Sequence, residues 1–148
     1  MIKQEFLSKI KTYLTSDLSN SPYYSIDYWY PLQSIKDDIP VVAFDLDKIY
    51  EDGAINQIEN VLCKTSIDMV TVVQNQEHNS NSPKTNLRSL LYEADADGYN
   101  FPWYVESYYY DNSKKWMIYT SHEFTITFAG EEIVCVAKDM IDSKYLIK

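Results

Sequence analysis

The sequence predicts an α+β fold: an antiparallel sheet, a meander in the C-terminal half, packed with two or three helices. Three observations carry this. From Pro102 to Ala137 aromatic and β-branched residues dominate, and turn residues punctuate them at regular intervals. Within that stretch Phe124 to Phe128 alternates apolar and threonine side chains, the period of a strand with one buried face. Elsewhere, from Ile2 to Leu14 and from Ala54 to Lys64, apolar residues recur at helical spacing. At 148 residues and 45% hydrophobic content, the chain matches one domain spanning 1–148.

In chain order, Ile2, Phe6, Ile10, Tyr13 and Leu14 mark an amphipathic helix that Ser16, Asp17 and Pro22 break. The aromatic run Tyr23 to Pro31 could form a stacking platform for sugars or bases, but is expected to be half-buried cover for a sheet-rich domain, because the 14 tyrosines are spread over the whole chain rather than gathered there. Pro40 to Phe44 is a short apolar run with the character of a buried strand. Ile55, Ile58, Val61 and Leu62 give a second amphipathic helix, and Met69 to Val73 another strand. That strand, helix, strand order allows either a crossover or an antiparallel return. Glu77 to Asn86, almost without apolar residues, is expected to be an exposed loop, followed by a short helix around Leu87, Leu90 and Leu91. The meander is then expected to pair in sequence order: Pro102 to Tyr110, Trp116 to Thr120, Phe124 to Phe128 and Glu132 to Ala137. Turns are expected at Asp111 to Lys114 and at Ala129 to Glu131.

Composition limits function. The formal charge of −9 argues against nucleic acid as a ligand, since phosphate binding needs a concentrated positive surface, and favours a basic protein partner. No membrane span and no secretory signal are read from the sequence, and Cys63 and Cys135 lie in apolar patterns that predict buried thiols; a cytoplasmic location fits both. Glu93 to Gly98 places carboxylates at alternate positions before a glycine, but the calcium-loop pattern fails at its twelfth position, which is Tyr104. Neither a metal nor another cofactor is expected.

Ser121-His122-Glu123 holds one of two histidines. Adjacent residues on an extended chain point to opposite faces, so His122 and Glu123 make a poor acid–base pair. With three glycines in the chain, a phosphate-cradling loop is hard to build as well. An enzyme or ligand-binding domain using His122 and the surrounding tyrosines therefore ranks second, and no catalytic residue is assigned.

The strongest asymmetry of charge lies between residues 37 and 59, where Asp37, Asp38, Asp45, Asp47, Glu51, Asp52 and Glu59 face only Lys48. Gathered on one face, such acids make a field that steers a basic surface toward it. The run Trp116 to Gly130, with Ser121-His122-Glu123 in its middle, resembles the closing hairpin of small bacterial proteins of the toxin-immunity type. That resemblance covers the last third of the chain and brings no catalytic motif. It implies a protein-binding module, an immunity protein that neutralises a basic toxin, and the acidic residues are its expected binding surface.

Overall fold

The computed structural model describes residues 39–74, 84–87, 107–111, 113, 115–121 and 123–147. The expected helix at Ile2 to Leu14, the aromatic run at Tyr23 to Pro31 and the acidic string at Glu93 to Gly98 lie outside the described residues. Strand β1 is Val41–Asp45, followed by helices α1 (Leu46–Glu51) and α2 (Ile55–Lys64). Strands β2 (Met69–Gln74), β3 (Lys84–Asn86), β4 (Ser107–Tyr110), β5 (Met117–Thr120) and β6 (Thr125–Ala129) come next. Helix α3 (Glu131–Met140) and a 3-10 turn (Ser143–Tyr145) close the described part. The fold is α+β.

The strands form one six-stranded sheet in the order β1-β6-β5-β4-β2-β3. Every neighbouring pair is antiparallel. β4, β5 and β6 pair in sequence order, Tyr109 opposite Ile118 and Ile118 opposite Phe128, because connections this short leave a strand little choice of neighbour. Direction reverses at each step, so β1 and β2 run parallel with three strands between them, and α1 and α2 are the crossover.

Expectation and structure part at the end of the meander. Residues 132–137 are not a strand but the body of α3. The free edge of β6 is taken by β1, with Val42 opposite Phe128 and Phe44 opposite Ile126, which leaves no place for a strand from the C-terminal side. The same residues also make a good helix. Ile133, Val134 and Ala137 fall on one buried stripe, Glu131 and Glu132 sit in the first turn, where carboxylates favour the positive end of the helix dipole, and Lys138 sits in the last. A four-residue apolar run fits either structure, and the open edge decides.

A second departure is at Lys84–Asn86, expected in an exposed loop but paired with β2 as the outermost strand. Its hold is local: Asn86 Nδ2 donates to Asp68 Oδ1 at 2.8 Å and the Leu87 N–H to Asp68 O at 3.0 Å, which seats Leu87 in the core.

One side of the sheet carries the core. Val42, Phe44, Ile126, Phe128, Ile118 and Tyr109 pack there with Ile58, Val61 and Leu62 of α2 and Ile133, Val134 and Ala137 of α3. Phe44 and Phe128 meet edge to face, ring centroids 6.0 Å apart. The register expected for β6 holds, with Ile126 and Phe128 in the core. Phe124 lies before the strand, half-buried at φ +59°. The threonine face is buried too: Ala43, Thr127, Tyr119 and Tyr108 make one row across β1, β6, β5 and β4, and the Tyr108 and Tyr119 rings meet at a tilt of 43°, centroids 4.7 Å apart. Thr127 Oγ1 is a buried hydroxyl with no hydrogen-bond partner among the described residues.

Cys63 and Cys135 correct another expectation, since both are exposed. Each falls one position past the buried stripe of its helix, Val61 and Leu62 in α2, Ile133 and Val134 in α3. An apolar neighbourhood in sequence is not burial when the period is 3.6.

Candidate functional site

The acidic stretch becomes a short helix with a cap at each end. Asp45, at the end of β1, is the N-cap of α1: its Oδ1 accepts from the Lys48 N–H at 3.1 Å. The start of α1 is also tied to the β5–β6 turn, because Phe124 O accepts from the Leu46 N–H at 2.9 Å and the Asp47 N–H at 3.4 Å. Inside, Leu46 and Ile49 are buried, so the helix turns Asp47, Lys48 and Glu51 outward. Asp47 and Glu51 are four apart, one turn above the other, with Cβ atoms roughly 6 Å apart. Gly53, at φ +65°, ends the helix with its N–H on Tyr50 O at 3.1 Å.

Asp52 is drawn into a different arrangement. Its Oδ2 accepts from the Tyr145 hydroxyl at 2.8 Å and lies 3.5 Å from Lys144 Nζ, and the Lys144 ammonium sits 5.1 Å from the Tyr145 ring centroid. The Tyr145 hydroxyl, with help from the Lys144 charge, holds the Asp52 carboxyl below its usual value. Nearby, the Asp142 N–H donates to Gln57 Oε1 at 3.0 Å, and Asp142 Oδ1 caps the 3-10 turn by accepting from the Lys144 N–H at 3.0 Å. Sequence reasoning missed these partners. The Asp-Ser-Lys-Tyr run has the look of a capped turn, but nothing in it points to a carboxylate 93 positions earlier.

Of the seven acidic residues expected to act together, the structure therefore brings four onto α1 and its caps. Two of those, Asp45 and Asp52, are engaged in holding the fold, and Asp47 and Glu51 are left fully outward. Glu59 is half-buried on α2, and Asp37 and Asp38 lie outside the described residues.

His122 also lies outside the described residues, but its neighbours are placed. Ser121 is fully buried and its Oγ is shared with Thr125 Oγ1 at 2.7 Å, while the Glu123 and Thr125 N–H groups both donate to it at 3.3 Å. That hydroxyl serves the turn and is not presented to solvent. A separate cleft of about 200 Å³ is lined by Thr65, Asp111, Lys115, Trp116 and Glu132 among others. Its Asp111 is occupied by its own loop: Oδ1 accepts from the Ser113 N–H at 2.9 Å and Oδ2 from Trp116 Nε1 at 3.1 Å. Among the described residues no group of three or more His, Cys, Asp or Glu is placed to hold a metal ion, and no helix is long and apolar enough to cross a membrane.

No protein-family model matches this chain, nor does any curated protein or solved structure.

Proposed function

We propose that the chain is a protein-binding module that docks a basic partner through the acidic surface around α1, and that it serves as an immunity protein neutralising a basic toxin in the bacterial cytoplasm. One observation carries the reading: Asp47 and Glu51 stand exposed a turn apart on a helix fixed at both ends. Two carboxylates held at a fixed spacing, offset by the single outward Lys48, present a net negative face whose field a flexible loop would disperse. The N-cap and the tie to Phe124 O supply that rigidity. The net charge of −9 adds a long-range component of the same sign.

The matching experiment reverses Asp47 and Glu51 to lysine and leaves Asp45 and Asp52 alone, because the latter pair caps and latches the fold. Association with a basic partner should slow in the variant and in added salt, whose screening length is about 8 Å at physiological strength. A partner that associates equally fast in all four conditions would show the acidic surface to be a solubilising coat.

A further inference from the structure

Residues 142–147 cross the outer edge of β1. The Ile147 N–H donates to Ala43 O at 2.9 Å, and Leu146 makes an antiparallel bridge with Phe44. Tyr145, the last residue of the 3-10 turn, is 2% exposed and belongs to the core, while its two neighbours Lys144 and Leu146 are exposed. The Tyr145 ring is seated in the core; beyond it, the attachments among the described residues lie outside the ladders of the six-stranded sheet: the Ile147–Ala43 main-chain bond with the Leu146–Phe44 bridge, one phenol–carboxylate bond to Asp52, one N–H on Gln57 Oε1, and an exposed ion pair that contributes little.

We infer that residues 142–147 are a releasable strap, and that the surface beneath it is a strand-addition site for an extended segment of the same chemistry: an aromatic hydroxyl preceded by a cation and followed by an apolar residue. The strap itself shows what fits. Its phenol reaches Asp52 Oδ2, its ammonium approaches the same oxygen, and its main chain bonds the edge of β1. Opening uncovers the outward main-chain acceptor of Ala43, the slot of the Tyr145 ring and the Asp52 carboxylate together. An incoming strand gains main-chain bonds along the edge and specificity from the slot. The inference deepens the acidic-surface reading, since a cation beside the aromatic residue is a basic partner's contribution. It is tested without that partner and with Asp47 and Glu51 intact, so the two fail separately.

Two measurements on the full chain decide it. Amide hydrogen exchange should show the Ile147 N–H opening at least about tenfold faster than the sheet amides of β5 and β6. Tyr145→Phe, which removes only the hydroxyl, should speed Ile147 by a further factor of about five to ten and leave the sheet amides unchanged. The second probe is a synthetic peptide of sequence Asp-Ser-Lys-Tyr-Leu-Ile. It should bind a Tyr145→Ala chain about tenfold or more tighter than the native chain, where the tethered strap competes at high effective concentration. Adding Asp52→Asn to that variant should remove the gain. Ile147 exchanging only with the sheet, a Tyr145→Ala chain that does not fold, or a peptide that binds both chains equally or neither would each overturn the proposal.

Discussion

Gly130 is where backbone geometry leaves least freedom. It holds φ +129°, and a Cβ built there would stand 2.4 Å from Lys115 O and 3.1 Å from Trp116 Cα, both main-chain atoms that have no rotamer to yield. Its N–H also ties α3 to Pro40 O at 3.0 Å. Gly53 has a positive φ as well, but nothing within 4 Å of the added atom. In urea unfolding Gly130→Ala should therefore lose on the order of 3 kcal/mol, from strain and overpacking together, and Gly53→Ala about 1 kcal/mol from strain alone. Equal losses at the two sites would contradict the close approach. Tyr109 gives a second residue-scale expectation. Burial pushes its phenol up to about 12 from 10.0, against small opposing effects of Thr120 and Ser107. The folded group binds its proton more tightly than the unfolded one, so the stabilisation is complete below pH 10 and is lost as pH rises toward 12. Through that window Tyr109 removes roughly 3 kcal/mol. Tyr109→Phe should flatten the alkaline limb of the stability profile; an unchanged limb would place the loss elsewhere.

Among the elements, those whose apolar period was long or whose neighbours were close in sequence were legible in advance. The α2 stripe Ile55, Ile58, Val61 and Leu62 and the β5–β6 hairpin are such cases, and both formed where the pattern placed them. Helix α3 was not legible, because Ile133 to Val136 suits a strand or a helix and the deciding fact was the seat of β1 on β6, more than 80 positions away in the chain. Six-residue α1 was hidden for another reason: Leu46 and Ile49 alone make its buried side, too few apolar positions to show a helical period among the acids around them. The helical assignments of α2 and α3 carry a direct chemical consequence. Cys63 and Cys135 face outward, so both thiols should react with a bulky aqueous disulfide reagent in the native protein at rates near those of the denatured chain. A thiol at either position protected until unfolding would mean that its helix is rotated or covered.

For the whole molecule, the crossover from β1 through α1 and α2 to β2 carries the acidic stretch between parallel strands at the near and far sides of β6, β5 and β4. The N-terminal end of α1 is fixed by Phe124 O, distant in sequence, and the C-terminal end by the Asp52 and Gly53 N–H groups on Lys48 O and Tyr50 O, so the helix stays fixed whether the strap is closed or open. Charge imbalance was readable from composition alone, but the division of labour within it was not. Asp45 and Asp52 differ from Asp47 and Glu51 only in what the fold sets beside them. This division sharpens the test of the central claim, that the outward carboxylates of α1 steer a basic partner. The decisive measurement is the association rate of such a partner, isolated from the source cells, with the native chain and with the Asp47→Lys, Glu51→Lys double variant at low and at high salt. The account predicts a slower rate for the variant at low salt, a gap that closes at high salt, and the same unfolding midpoint for both chains. Equal rates at low salt, with both chains folded, would contradict it.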